Sequence, residues 1–219
     1  MSEGFFVDVC ESHKAIQFAK DHEFTPKHLL TTHKHADHSA GNADMQKEFP
    51  NIKIYGGEKD QVKACNNPVS DGDKLNIGGM SIQCMHTPCH TKGHTCYYVT
   101  LDTSEESKNE LQRNKDEKTS HTHVSGFDKA AFTGDTLFIG TVGKFFEGTA
   151  EEMHSNLERL HALPSDTQIF PGHEYTVSSL EFCEKMDPEN QKLQTVLDES
   201  RKLLDEGYPT IPRTIKEIK

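Results

Sequence analysis

Apolar positions along the chain fall in short runs separated by polar turns, and the runs alternate between two periods. Phe5-Phe6-Val7-Asp8-Val9 predicts a short buried strand, and residues 28–32 predict a second. Between them, residues 13–22 read as a helix with a weak apolar stripe at Ile16, Phe18 and Ala19. Residues 39–49 read as a helix stopped by Pro50, and 52–55 as a strand ended by Gly56-Gly57. Residues 74–77 and 80–85 flank Gly78-Gly79, a two-residue hairpin signal. Further strands are expected at 95–101, 130–133 and 168–170. Residues 150–163 predict a helix, with Thr149 as N-cap and Glu152 completing a capping box. The C-terminal part reads as two helices, 178–186 and 190–206, the second stopped by Gly207 and Pro209.

One stretch breaks this rhythm. Ten of the 19 residues from 102 to 120 are charged, so 102–127 reads as a solvated insertion. The expected organisation is one domain over 1–173 and a helical region over 174–219; 219 residues suffice for this. The mean hydropathy of −0.73 is low, so the loops are expected to be polar around a modest core. A net charge of −11 disfavours nucleic acid, and an anionic substrate would need local positive charge from metals or lysines. No run of 18 apolar residues is present, so no membrane span is expected, and no signal peptide is read at Met1. Six cysteines without a CxxC pair suggest free thiols in a reducing compartment, cytoplasm or mitochondrial matrix.

Histidine is over-represented, at 14 of 219 residues, and its placement points to metal chemistry. His33-Lys34-His35-Ala36-Asp37-His38 sets three imidazoles and a carboxylate directly after an apolar strand. On an extended loop His33 and His35 point the same way, and Asp37 and His38 turn toward a second position; such donors suit zinc, iron or manganese. His90 in Thr87-Pro88-Cys89-His90-Thr91, Asp135 in Phe132-Thr133-Gly134-Asp135-Thr136 and His173 in Pro171-Gly172-His173 each follow a strand as well. His121-Thr122-His123 has similar spacing but lies in the charged insertion and is assigned no role. Cys89 reads as a packing residue, His86 and His94 stay unassigned, and His13, His22, His28, His154 and His161 read as surface residues.

The order HxHxDH, His, Asp, His resembles the metallo-β-lactamase superfamily. The stretches Gly143-Lys144-Phe145-Phe146-Glu147-Gly148-Thr149 and Gly172-His173-Glu174-Tyr175-Thr176 are similar to glyoxalase II, the hydroxyacylglutathione hydrolases. The resemblance implies an α+β fold, an αββα sandwich with a short helical C-terminal tail. It implies that His33, His35 and His90 hold one metal, that Asp37, His38 and His173 hold a second, and that Asp135 bridges them. Asp37 and Asp135 would be the catalytic carboxylates, and an activated water would attack a glutathione thioester such as S-D-lactoylglutathione. Zinc is the first choice for the two divalent ions, with iron or manganese as alternatives. Lys144, Phe145, Phe146, His173, Glu174 and Tyr175 would meet the substrate, with Phe146 standing where the family commonly has Tyr. Neither a membrane nor a nucleic acid is expected as partner, and a monomer is. The resemblance further implies a strand hairpin ahead of Phe5 and an extension past Ile215 whose basic residues grip the glycine carboxylate; this sequence matches neither. The alternatives are a mononuclear iron persulfide dioxygenase, which shares the His-x-His-Ala-Asp-His segment, and an inactive truncated metal-binding form. A β-lactamase is disfavoured for want of an export signal.

Overall fold

The computed structural model describes residues 4–101 and 128–218, and the charged insertion expected at 102–127 lies outside them. Two sheets face each other. The first is wholly parallel, in the order β1 (Phe5–Val7), β2 (His28–Leu30), β3 (Lys53–Gly57), β4 (Asn67–Val69). The second has six strands in the order β10 (Arg213–Thr214), β9 (Gln168–Pro171), β8 (Lys129–Gly134), β7 (Thr95–Leu101), β6 (Met80–His86), β5 (Lys74–Ile77). Its pairs are antiparallel except for β8 with β9. Helices α1 (Ser12–Asp21) and α3 (Asn42–Glu48) cover the outer face of the first sheet. Helices α4 (Ala150–His161), α5 (Thr176–Met186), α6 (Gln191–Asp205) and the short α7 (Ile215–Ile218) cover that of the second.

The period-2 alternation explains the layering, because successive side chains of a strand go to opposite faces. Leu29 and Ile54 face α1 and α3 in one core with Val9, Met45 and Ile52, whereas their neighbours Leu30 and Tyr55 face the other sheet. There they meet Ile82, Cys84, Tyr97, Val99 and Ala130. The alternate positions Met85, Cys96, Ala131 and Ile169 form a third core with Leu160, Leu180, Leu197 and Ile215 from the outer helices. Three cores between four layers are the αββα sandwich that the resemblance implied.

The hairpin is as expected: Ile77 pairs with Met80, and Gly78 and Gly79 both take positive φ, 56° and 77°, as its two-residue turn demands. The capping box at Thr149 is complete in both directions. Several expectations need correction. The helix expected over 39–49 is two pieces, α2 (Ala36–Ser39) and α3, broken at Gly41. There the chain passes so close to the first sheet that a Cβ would lie 2.6 Å from the Val9 carbonyl oxygen. The first strand ends at Val7 because Asp8 turns out of it with φ +48°. β4 went unread because Pro68 lowers the strand signal; it lies at the edge of its sheet, where a missing N–H is tolerated. β10 is only two residues long. His28, expected at the surface, is buried, with Nδ1 3.2 Å from the Tyr55 hydroxyl. None of the six cysteines is paired. Among the described residues no helix is long and apolar enough to cross a membrane.

Candidate metal centre

The candidate ligands lie just beyond the C-terminal ends of β2, β6, β8 and β9, at one edge of the sandwich. The two sheets are stapled to each other there. The Tyr97 hydroxyl donates to the Thr31 carbonyl at 2.9 Å, and Thr95 N–H donates to the Thr32 carbonyl at 2.9 Å. His33 follows at once. Its Nε2 stands 3.0 Å from His35 Nδ1, which stands 3.1 Å from His90 Nε2. After His35 the backbone changes from extended to helical, and the single turn α2 swings Asp37 and His38 to the other side. His38 Nε2 is 3.2 Å from His173 Nε2, and Asp37 Oδ2 is 3.3 Å from the same nitrogen. The Asp37 carboxylate therefore belongs to the first turn of α2 and does not cap a following helix.

Asp135 lies between the two sets. Its Oδ1 is 3.2 Å from His38 Nε2, and its Oδ2 is 3.5 Å from both His90 Nε2 and His173 Nε2. A register shift in the β8–β9 ladder between Phe132 and Gly134 aims it there. Donor atoms thus converge in three overlapping groups: His33, His35 and His90; His33, His38 and Asp135; Asp37, His38 and His173. Nitrogen donors about 2.0–2.1 Å from a tetrahedral ion stand about 3.3–3.4 Å from one another. The 3.0–3.5 Å separations above match that spacing. Asp135 Oδ1 is buried with His38 Nε2 at 3.2 Å, and a buried carboxylate is costly unless a cation compensates. The donor set therefore fits a pair of divalent ions, and all seven expected ligands are brought together.

Electrostatics support the same use at His33 and His90, and at His38 they favour positive charge where an ion would stand. Burial, with the imidazoles of His94, His38, His90 and His35 behind it, keeps His33 neutral far below its usual range, so its lone pair stays available. Burial likewise lowers His90. Burial also opposes charge on His38, but the carboxylates of Asp135 and Asp8 outweigh it and raise the group to about 10. The surroundings of His38 thus favour positive charge. Burial alone would raise Asp135; the neighbouring imidazoles, His38 foremost, outweigh it and hold the carboxyl below its ordinary value.

A second layer fixes the rings, and the sequence reading missed it. Asp8 Oδ2 accepts from His38 Nδ1 at 2.8 Å and from the Thr32 hydroxyl at 2.7 Å, while Oδ1 accepts from Thr32 N–H at 2.7 Å. With its hydrogen given to Asp8, Thr32 Oγ1 can accept from His33 Nδ1 at 3.1 Å. His90 Nδ1 donates to the Lys144 carbonyl at 2.9 Å. In each case the far ring nitrogen is left bare for a metal. His94 is buried, and burial depresses it to about 3. Its Nε2 accepts the Asp135 N–H at 3.1 Å, and its Nδ1 lies 2.9 Å from Thr87 Oγ1 and 3.1 Å from Thr136 Oγ1. Asp60 ties the two histidine loops together, accepting from Lys34 N–H at 2.6 Å and Gly93 N–H at 3.1 Å. Only glycine fits at 172, where a Cβ would lie 2.5 Å from Asp135 Oδ1 and 2.6 Å from His38 Cε1.

Around the rim, Phe146 is exposed, with its ring centroid 5.1 Å from His90 and 5.8 Å from His35. Tyr175 stacks on His173 at 4.9 Å. Lys144 and Phe145 are exposed beside them. Glu174 turns both carboxylate oxygens to Thr210, one receiving its hydroxyl and the other its N–H. Cys89 is buried and donates to the Thr149 carbonyl at 3.3 Å, a packing position.

A cytoplasmic hydroxyacylglutathione hydrolase of Arabidopsis thaliana is 44% identical over 96% of this chain and 74% of its own length. The chain belongs to the hydroxyacylglutathione hydrolase family. A second member, hydroxyacylglutathione hydrolase 2 of Vibrio vulnificus, is 30% identical over 97% of the chain and 73% of its own length. The model of the family's C-terminal region, "Hydroxyacylglutathione hydrolase C-terminus", matches residues 174–219. Among solved structures, a metallo-β-lactamase from Staphylococcus aureus superposes with a TM-score of 0.59 at 20% identity, over 79% of this chain and 50% of that one. The fold is the metallo-β-lactamase fold.

Proposed function

We propose that this chain hydrolyses glutathione thioesters, S-D-lactoylglutathione among them, releasing glutathione and D-lactate. The observation that carries the reading is the Asp135 carboxylate set between two converging donor groups, in a chain of this family. His33, His35 and His90 would hold one divalent ion and Asp37, His38 and His173 the other, with the Asp135 carboxylate available to both. Zinc is the first candidate, with iron or manganese accepting the same donors. When bound, the pair supplies Lewis acidity, which makes water a nucleophile near neutral pH and offsets charge growing on the carbonyl oxygen.

The protein's own groups supply placement. Asp37, exposed on the solvent side, orients the attacking water. Lys144, Phe145, Phe146 and Tyr175 line the rim along which glutathione lies, with Tyr175 held flat by His173. Glu174 acts through Thr210 to fix the turn that carries Tyr175. The leaving thiol has a pKa near 8.5, so it departs as thiolate and needs no general acid. We place the protein in the cytoplasm as a monomer, in keeping with the Arabidopsis relative named cytoplasmic.

The test is loss of the thioester absorbance of S-D-lactoylglutathione, with metal content measured on the same sample. Turnover with about two ions per chain supports the proposal. A single iron with oxygen uptake on glutathione persulfide would replace it with the dioxygenase, and metal without any turnover would leave a binding protein.

A further inference from the structure

The rim segment 143–149, which carries Lys144, Phe145 and Phe146, contains neither helix nor strand. Phe145 and Phe146 are exposed, so burial of their own rings does little to hold them. What holds the segment is the pair of loops that carry the first donor set. His90 Nδ1 donates to the Lys144 carbonyl at 2.9 Å, and Glu147 N–H donates to the Cys89 carbonyl at 3.0 Å. The Glu147 carboxylate then reaches both loops at once. Its Oε1 lies 2.7 Å from the Nζ of Lys34, the residue between His33 and His35. Its Oε2 accepts the N–H of Lys92, two residues after His90, at 2.8 Å.

The Lys34 and Glu147 side chains are 35% and 27% exposed, and such an ion pair alone contributes little. A carboxylate shared between an ammonium on one loop and a backbone N–H on another does more, because it fixes the course of the chain between them. Phe146 immediately precedes Glu147, and its ring is set edge-on against His35 and His90. The two ligand loops have a support of their own, since Asp60 accepts from Lys34 N–H and Gly93 N–H. Loss of the Glu147 carboxylate would therefore loosen the rim and leave the ligands in place. We infer that Glu147 is a positioning residue for glutathione: by gripping Lys34 and the Lys92 backbone, it sets Lys144, Phe145 and Phe146 over the first donor set. The inference rests on the thioesterase reading, in which that rim carries the glutathione, and adds the residue that shapes it. Glu147 acts on substrate binding through the rim and takes no part in the attack on the carbonyl.

Two measurements on the zinc-loaded full chain test this. Calorimetry gives the dissociation constant of S-butylglutathione, a thioether that cannot be hydrolysed, and kinetics give kcat and KM for S-D-lactoylglutathione. Glu147→Ala should raise the dissociation constant and KM about tenfold, the scale of lost hydrogen bonds to a charged group. Its kcat should stay within about twofold and its metal content should match the unaltered chain, the pattern of lost binding common to ground and transition states. Glu147→Gln offers one acceptor oxygen to two donors and should raise both constants about threefold. Lys34→Met should give a similar rise, and in Lys34→Met/Glu147→Gln the two should not multiply, because both break one contact. A full product of about ninefold in the double variant would overturn the inference, since the two residues would then act separately. Unchanged constants in Glu147→Ala would overturn it and leave the thioesterase standing. A fall in kcat together with loss of metal would also overturn it, assigning Glu147 to the support of the ions. An unaltered chain that neither binds the thioether nor hydrolyses the thioester would remove both readings.

Discussion

The two donor sets share Asp135 but are held very differently. His33 and His90 are buried, and each ring is locked through its Nδ1 to the protein, on Thr32 Oγ1 and on the Lys144 carbonyl. Among the described residues His35 has no such lock, and in the second set only His38 has one, on Asp8. Asp37 is 57% exposed on a four-residue helix, and His173 is steadied by the ring of Tyr175 rather than by a hydrogen bond to the backbone. A site framed by buried hydrogen bonds is preorganised and resists distortion. A site with an exposed carboxylate adjusts more easily and gives up its ion sooner.

The most severe break of this comparison is to remove what the sets share. Asp135→Ala should lower turnover of S-D-lactoylglutathione at least about 10³-fold, the equivalent of several kcal/mol of lost metal stabilisation at 1.36 kcal/mol per tenfold. Elemental analysis should find one ion per chain or fewer. Next come the locks. Asp8→Ala removes the acceptor of His38 Nδ1 directly and that of Thr32, which orients His33, only at one remove, so it should weaken the second ion by about 10–100-fold and the first by less; competition with a chelating dye measures both. His94→Ala unpins the Asp135 backbone that both sets depend on. It should cost a similar 10–100-fold spread across the two ions, and equal loss at both sites is what distinguishes it from Asp8→Ala. Graded chelation of the unaltered protein is the sharper test of the asymmetry. Half the metal should leave at a lower chelator concentration than the rest, and Asp37→Ala should move only the first step. A single step would mean that the sets are equivalent. The smallest effect is expected far from both sets: Thr149→Ala removes the cap of α4 and should cost about 1 kcal/mol in denaturant unfolding without changing metal stoichiometry.

The candidate ligands were legible because their chemistry is written in residue types: imidazoles and carboxylates directly after apolar strands. The layers were legible from period-2 runs such as Leu29-Leu30 and Ile54-Tyr55, whose alternate members fill different cores. Asp8 was not legible, since inside Phe-Phe-Val-Asp-Val it reads as one polar position of a strand. Its left-handed backbone and its three hydrogen bonds are tertiary facts. The polar break in that apolar run was the available signal. His94 was hidden for a related reason: a histidine that is wholly buried and neutral has the same one-letter code as a ligand or a surface residue. Gly41 hid the break between α2 and α3, because its need comes from the carbonyl of Val9, more than thirty positions away.

The staple between the sheets has one more consequence. Thr31 and Thr32 take hydrogen bonds from Tyr97 and Thr95 immediately before His33, so the first sheet is tied to the second at the edge where the ligands meet. His33, His35, Asp37 and His38 hang from the first sheet, and His90, Asp135 and His173 from the second. Every ion held between them is therefore also a cross-link between two halves of the fold. By mass action, free metal at a hundred times its dissociation constant would add about 2.7 kcal/mol per site to resistance against unfolding. The melting temperature of this molecule should therefore rise with free metal concentration.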